Sequence, residues 1–483
     1  MKNNSLPIFL GMAAACAGGV MQAEERPNVL IIHTDEHSFR TLGCYRAMMT
    51  EKEAEVWGED VVVETPHIDY LAENGVLCNR FYATTPVSSP SRSSFVTGLY
   101  PQQTAVVTNN IPMSDTVVTF AEEFRRNGYH TGYFGKWHLD GDSRPGWKPE
   151  RNFGFEDNRY MMNRGHYKRI VEKGEGVFDI TYKGDSLTSE NFMTDFLTRK
   201  TLDYIRSHQD EAFCCMVAYP DPHGPNVVRA PYDTLYAGFK FQKPRTALKD
   251  TSGLPSWSYG KDRMENMVRY FGMIKCLDDN VGIIIKELKK LGLMERTIIV
   301  FTSDHGDLCG EHGRTNKSVP LEASAKVPFI VYYPKQLKGG TVVDEVLSVV
   351  DFAPTILSMA GIDPQAKRAG RDFSSLLKGE APGKEWRDAV FMRGTDARKG
   401  KSKSWLTVVS RNYKLTLSEV EGDVPWLTDM EKDPDELVNE YFNPAYQEEV
   451  KALMKELYNY GKEWHDRRIN SSLIKKEMER ILE

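Results

Sequence analysis

Two apolar runs of the chain end in acid. "NVLIIHTDEH" (residues 28–37) closes on Asp35 and Glu36, and "TIIVFTSDHGD" (297–307) closes on Asp304 and His305. Crowded carboxylates repel and raise one another's pKa. A hard divalent cation removes that penalty, and oxygen-rich ligation suits calcium or magnesium. Two further runs bring cationic and proton-carrying groups. "GYHTGYFGKWHLDG" (128–141) supplies Lys136 and His138, two residues apart, and "YPDPHGP" supplies His223 between two prolines that restrict its loop. Lys317 follows the second acidic run, in "GRTNKSVPLEASAKVP". Lysine offers fixed positive charge to an anion, and histidine moves a proton near neutral pH. One hydroxyl group completes the set. In "PVSSPSRSSFVTG" (86–98), Ser88 stands two residues before Pro90 and four before Arg92.

Each of these groups has a plainer reading on its own. An acidic strand end caps a neighbouring helix or pairs with arginine, a loop lysine is solvated, and a histidine packs in a turn. Their joint occurrence at several strand ends points to chemistry, because ligands of open α/β sheets bind at the carboxyl ends of the strands. Acids for a cation, two lysines, two histidines and a hydroxyl beside Arg92 suit hydrolysis of an anionic ester. A cation and lysines hold the oxyanion, a nucleophile attacks, and a histidine protonates the leaving oxygen.

The intervening pattern supplies the elements that would position these groups. Short apolar runs at 28–37, 76–84, 129–134, 213–219 and 297–307, and again in "VPFIVYYP", read as buried strands, the first and fifth ending in charge. They alternate with helical stretches at 66–74, 119–128, 189–208, 262–291 and 350–361, and a short helix is expected from Ser91 to Gly98. This alternation predicts an α/β fold, a large mostly parallel sheet sandwiched by helices. Past about residue 382 the pattern changes. "SWLTVVSR", "YKLTL" and "PWLTD" read as short antiparallel strands before a long helical tract, so 24–381 is taken as the catalytic domain and 382–483 as a smaller α+β subdomain.

The 483 residues are 40% hydrophobic and 27% charged with net charge −6, which is ordinary globular composition and argues against nucleic acid as a partner. Residues 1–23 read as a secretory signal peptide, with Lys2 before an apolar stretch at 6–20 and cleavage near Ala23; "AAAC", ending at Cys16, offers a lipoprotein alternative. No later stretch reaches the length of a membrane span, so an exported, periplasmic protein without a transmembrane segment is expected. The seven cysteines show no zinc spacing and read as buried thiols; adjacent Cys214 and Cys215 would point to opposite faces of a strand.

The "SSPSR" stretch, Ser88 to Arg92, resembles the motif of the formylglycine-dependent sulfatases in which the first residue, Cys or Ser, is oxidised to formylglycine. "GYHTGYFGKWH" resembles the second motif of that family, and the resemblance runs from about residue 28 to "DMEKDPDELVN" (429–439). It implies the alkaline phosphatase-like superfold. It implies that Ser88 becomes formylglycine, whose hydrated aldehyde is the nucleophile and also meets the cation. Asp35, Glu36, Asp304 and His305 then stand where the family places its metal ligands, usually for calcium. Arg92 and His138 would hold and deprotonate the diol, Lys136 and Lys317 would bind sulfate oxygens, and His223 matches the acid for the leaving alcohol. The serine form implies a maturase acting before export, in a bacterial host. Glu36 stands where Asp is commoner, His305 where Asn is common, and "CYR" (44–46) replaces the usual "CYG".

The stretch at 140–169 is rich in Trp, Tyr, Arg and Asn, which suit sugar faces and hydroxyls. It is read as a substrate-recognition insertion, with Arg164 and His166 of "NRGH" as specificity candidates. The expected substrate is a sulfated saccharide from a glycosaminoglycan, mucin or algal polysaccharide, attacked exo-fashion, with a galactose-type residue as one candidate. The competing readings are a phosphodiesterase or phosphonate monoester hydrolase of the same fold, and a glycan-binding protein that lacks formylglycine.

Overall fold

The computed structural model describes residues 26–483 apart from 175, 262, 265, 384, 385 and 397–403. The leader segment, with Lys2, Cys16 and Ala23, lies outside the described residues.

The apolar runs become strands of one eight-stranded sheet. In chain order these are β1 (Asn28–Asp35), β2 (Val76–Cys78), β3 (His130–Lys136), β4 (Asp157–Met162), β5 (Phe213–Pro222), β6 (Thr297–Ser303), β7 (Phe329–Tyr332) and β8 (Thr341–Val343). Across the sheet the order is β8, β2, β7, β6, β1, β5, β3, β4. All run in one direction except β7, which is antiparallel to both neighbours.

Strands buried on both faces need apolar residues at every position, and β1 shows how the two faces divide. Val29 and Ile31 enter one core while Leu30 and Ile32 enter the other. Cys214 and Cys215 on β5 split the same way, and both are free thiols. Helix α1 (Ser88–Thr97) packs Phe95 and Val96 into the first core. Helices α2 (Met193–Ser207) and α3 (Met267–Lys290) pack Phe196, Leu197, Leu277 and Val281 into the second.

Several elements differ from their sequence-based limits. Helix α1 starts at Ser88 rather than Ser91. Pro90 thereby falls in the first turn, where its missing N–H costs nothing. The expected strand at 76–84 divides, because Phe81 and Tyr82 leave the main sheet to pair with Leu347 and Ser348. Helix α3 starts at Met267, where the Asn266 side chain accepts from the Arg269 N–H.

The C-terminal part holds a four-stranded antiparallel sheet, Ala389–Arg393, Trp405–Ser410, Tyr413–Ser418 and Trp426–Asp429. Its first strand was not legible in sequence, since "AVFMR" is buried at every position and shows no alternation. The helix Gln447–Glu463 lays Val450, Leu453, Met454 and Leu457 on this sheet. No helix among the described residues is long and apolar enough to cross a membrane.

Register brings the reactive strand ends side by side. Thr34 pairs with Ser303, Asp35 with Pro222, and Gly135 with Ala218. Gly135 has φ +108, and a Cβ there would lie 2.1 Å from the Ala218 carbonyl oxygen. Only glycine lets β3 deliver Lys136 beside β5. Gly135→Ala is therefore expected to lower stability by about 1–3 kcal/mol, read as a drop in Tm, and to lower activity through the displaced Lys136.

Candidate active site

Ser88 is the first residue of α1, and its backbone follows the extended Val87. The helix start places Oγ among three groups delivered by β1, β3 and the end of β6. Oγ lies 3.1 Å from His305 Nε2, 3.3 Å from Lys136 Nζ and 3.4 Å from Asp35 Oδ1. The Lys136 ammonium pairs with Asp35 Oδ2. Arg92, one turn along α1, donates from Nε to Asp304 Oδ2 at 2.9 Å and from Nη1 to the Lys136 carbonyl at 2.8 Å. Its Nη2, also buried, has no hydrogen-bond partner among the described residues.

A second group lies against the first. Glu36 Oε1 is 2.9 Å from Lys317 Nζ, and Glu36 Oε2 is 3.0 Å from His223 Nε2. His223 Nδ1 donates to the Gly224 carbonyl at 2.8 Å, so Nε2 keeps a lone pair and accepts from Lys317 at 2.7 Å. His166 stacks face to face on His223, with centroids 3.6 Å apart, and its Nε2 lies 2.9 Å from Lys136 Nζ and 3.1 Å from Asp35 Oδ2. The structure thus gathers Asp35, Glu36, Ser88, Arg92, Lys136, His166, His223, Asp304, His305 and Lys317 in one crevice at the carboxyl edge of the sheet.

Two expected members sit further off. His138 is buried and meets Asn110 Oδ1 at 3.1 Å through Nε2; no hydrogen bond joins it to Ser88. Arg164 is half-buried, and its charge acts on the Tyr167 phenol. Glu36 and His138 both adopt left-handed backbone, φ 67 and 62, which is uncommon for non-glycine residues.

Burial and charge set the ionisation of the group. Burial alone would raise Asp35, but Lys136, helped by His223 and Arg92, holds it well below the usual carboxylate range. Burial lifts Glu36 well above that range despite Lys317. Burial, reinforced by Lys136, pushes His166 down to about 3. Burial brings His305 to about 4 and, with Lys317, depresses His223 strongly. Lys136 is lowered by burial, whereas Glu36 and Asp35 outweigh burial at Lys317 and raise it. At neutral pH the site therefore presents neutral imidazoles with lone pairs beside a Lys317 ammonium that is held charged.

The donor set fits a divalent cation. Asp35, Asp304 and His305 are fully buried, and each offers one donor atom within 4.8 Å of the others. His305 Nδ1 donates to the Gly306 carbonyl at 3.0 Å, which leaves Nε2 free to ligate, the usual bracing of a metal-bound imidazole. Asp35, His166 and His223 form a second such group. Glu36 belongs to neither, because its carboxylate is turned to Lys317 and His223.

Sequence reasoning missed a buried pair behind His223. Lys168 Nζ is 2.5 Å from Asp221 Oδ1 and 3.0 Å from the His223 carbonyl, and Thr194 donates to Asp221 Oδ2 at 2.6 Å. Lys168 lies two residues after His166 and Asp221 two before His223, so the pair ties together the loops that carry the stacked rings. A charged residue inside a recognition insertion reads as a solvated group, and only its burial separates it from one.

The sulfatase family model matches residues 27–362, which contain the whole crevice. The chain belongs to the sulfatase family. A further model, the C-terminal region of N-sulphoglucosamine sulphohydrolase, matches residues 310–463 of this sulfatase. The sulfatase is 24% identical to the N-acetylglucosamine-6-O-sulfatase of Bacteroides thetaiotaomicron, over 96% of this chain and 92% of the relative. A solved structure in complex with its substrate D-glucosamine-2-N,6-O-disulfate matches with TM-score 0.75 and 23% identity, covering 92% of this chain and 99% of the other. The phosphonate monoester hydrolase of Agrobacterium radiobacter matches with TM-score 0.70 and 21% identity, over 91% and 96% of the two chains. The sulfatase has the alkaline phosphatase-like fold expected from its sequence and is a sulfuric ester hydrolase.

Breaking the Lys168–Asp221 pair separates its structural from its positioning role. Lys168→Met alone leaves a buried carboxylate uncompensated and is expected to cost about 3–5 kcal/mol. Lys168→Met with Asp221→Leu is expected to regain most of that Tm but not kcat/KM, because His166 and His223 lose their brace.

Proposed function

We propose that this sulfatase is an exported enzyme that removes O-sulfate esters from carbohydrates, working from chain ends, with Ser88 converted to formylglycine and a divalent cation, calcium first, held by Asp35, Asp304 and His305. The observation that carries this reading is the position of Ser88 Oγ, within 3.4 Å of a carboxylate, an ammonium and an imidazole from three separate strand ends. The motif around Ser88 and the relatives named for sulfated amino sugars support it.

The aldehyde supplies a hydrated carbonyl whose second hydroxyl can expel sulfate, and the cation balances the charge of the crowded acids. The protein's own groups do the rest. Arg92 fixes Asp304 and the Lys136 carbonyl, and so sets the geometry around residue 88. Lys136 and Lys317 now pair with Asp35 and Glu36; an incoming sulfate would compete for the same ammonium groups. His223 Nε2 accepts from Lys317, and a proton passed along that hydrogen bond would let His223 act as the acid for the leaving sugar oxygen. The main-chain N–H groups at the start of α1 favour an anion at residue 88. His166, from the insertion at 140–169, makes that segment part of the wall of the crevice. The leader at 1–23 carries the export reading, and the serine motif carries that of a maturase as partner before export.

Matured protein should release sulfate from defined sulfated saccharides, and glucosamine- and galactose-type sugars should be screened together. Phosphonate monoesters or phosphodiesters turned over faster than every sulfate ester would favour the phosphonate hydrolase reading. Mass spectrometry of the Ser88 peptide should show loss of two hydrogens, whereas unmodified serine from a maturase-competent host would favour a glycan-binding protein. Lys317→Met should cost about 10²–10³ in kcat, as for removal of one electrostatic stabiliser. Chelation should abolish turnover, and calcium should restore it.

A further inference from the structure

The opposite edge of the sheet carries a second cluster. His130 opens β3, while His208 and Glu211 lie in the turn between α2 and β5. The backbone holds them together: β3 and β5 pair with His130 opposite Phe213, and the His130 N–H donates to the Ala212 carbonyl at 3.0 Å. Each residue offers one donor atom, and the three atoms lie within 4.8 Å of one another.

One distance within the cluster suits a pair of ligands. His130 Nε2 is 3.3 Å from Glu211 Oε2. That is just beyond the usual N–H···O range of about 2.7–3.2 Å. It matches the edge, roughly 3.3–3.6 Å, of a tetrahedron around an ion with bonds of about 2.0–2.2 Å. The two imidazoles face one another with centroids 4.9 Å apart and a tilt of 41°. His208 is braced from behind: Nδ1 donates to the Tyr204 carbonyl at 2.9 Å, and the ring packs on Tyr204 with centroids 4.2 Å apart. That hydrogen bond fixes the proton on Nδ1 and the lone pair on Nε2, as in ligating histidines.

We propose that His130, His208 and Glu211 form a binding site for a zinc-like transition-metal cation, separate from the catalytic centre. Two imidazoles and one carboxylate suit Zn²⁺, whereas the oxygen-rich catalytic set suits calcium. Lys136 stands at the other end of the seven-residue β3, about 20 Å away at 3.3 Å per residue. The side chains of His130 and Glu211 are about half exposed, so water can complete the coordination and metal can enter directly. A bound ion would clip the turn after α2 to the start of β3, and so link two neighbouring strands at the edge remote from catalysis.

Calorimetric titration of the whole chain with Zn²⁺, in excess calcium so that the oxygen-rich set is filled, tests this. The parent protein is expected to bind one equivalent, with a rise in Tm, and Co²⁺ in place of Zn²⁺ should give the visible bands of a tetrahedral site. His130→Gln with His208→Gln should lose this equivalent, or weaken it by about 100-fold or more, and should lose the cobalt bands. Its metal-free Tm and its turnover of a sulfate ester should stay at parent values. Absence of binding in the parent protein, or an isotherm and cobalt spectrum unchanged in the double variant, would overturn the proposal.

Discussion

Buried acids meet buried cations at the carboxyl edge of the sheet, and the rest of the structure depends on keeping them together. Asp35 faces Lys136, Asp304 faces Arg92, and Glu36 faces Lys317, all with side chains largely buried in one crevice. Isolated charges at such burial are prohibitively costly, and pairs are tolerated only with close geometry and further hydrogen bonds. The crevice meets that condition by drawing each charge from a different element. None can relax without moving a strand end, a helix start or a loop. The same arrangement leaves the ammonium groups poised between a protein carboxylate and an incoming anion.

Parallel architecture makes this concentration of charge possible. A parallel sheet brings the carboxyl ends of its strands to one edge, and its amino ends to the other. The interior strands are mostly apolar along their middles, and their polar residues collect towards the ends. At the carboxyl edge these residues are the acids, lysines and histidines of the hydrolytic site. At the amino edge the same parallel register puts His130 beside the turn that carries His208 and Glu211. The one reversed strand, β7, lies on the far side of β6 and leaves the reactive edge intact.

Rigidity at the site comes from behind it. The Lys168–Asp221 pair and Thr194 hold the loops bearing His166 and His223, and Gly135 lets β3 approach β5 closely enough to place Lys136. The C-terminal sheet is tied in by similar means. Lys414 reaches across to Glu322 at 2.6 Å, to Glu436 at 2.8 Å and to the Pro320 carbonyl at 3.0 Å, all buried. This anchors the segment that follows Lys317 against the C-terminal sheet.

The amino-acid sequence by itself determined the strand-and-helix alternation, the acidic strand ends and the linear motif around Ser88, because these depend on periodicity and on neighbours along the chain. It also placed Cys214 and Cys215 on opposite faces, since side chains alternate along any strand. Only the tertiary structure decided that α1 begins at Ser88 itself, that Glu36 turns to Lys317 and His223, and that His138 meets Asn110 rather than Ser88. Only it brought His166 against Asp35 and hid Lys168 beside Asp221. Those outcomes rest on contacts between residues far apart in sequence and on burial, which sets whether a charge must find a partner. Neither distance across the fold nor dehydration is written in local spacing.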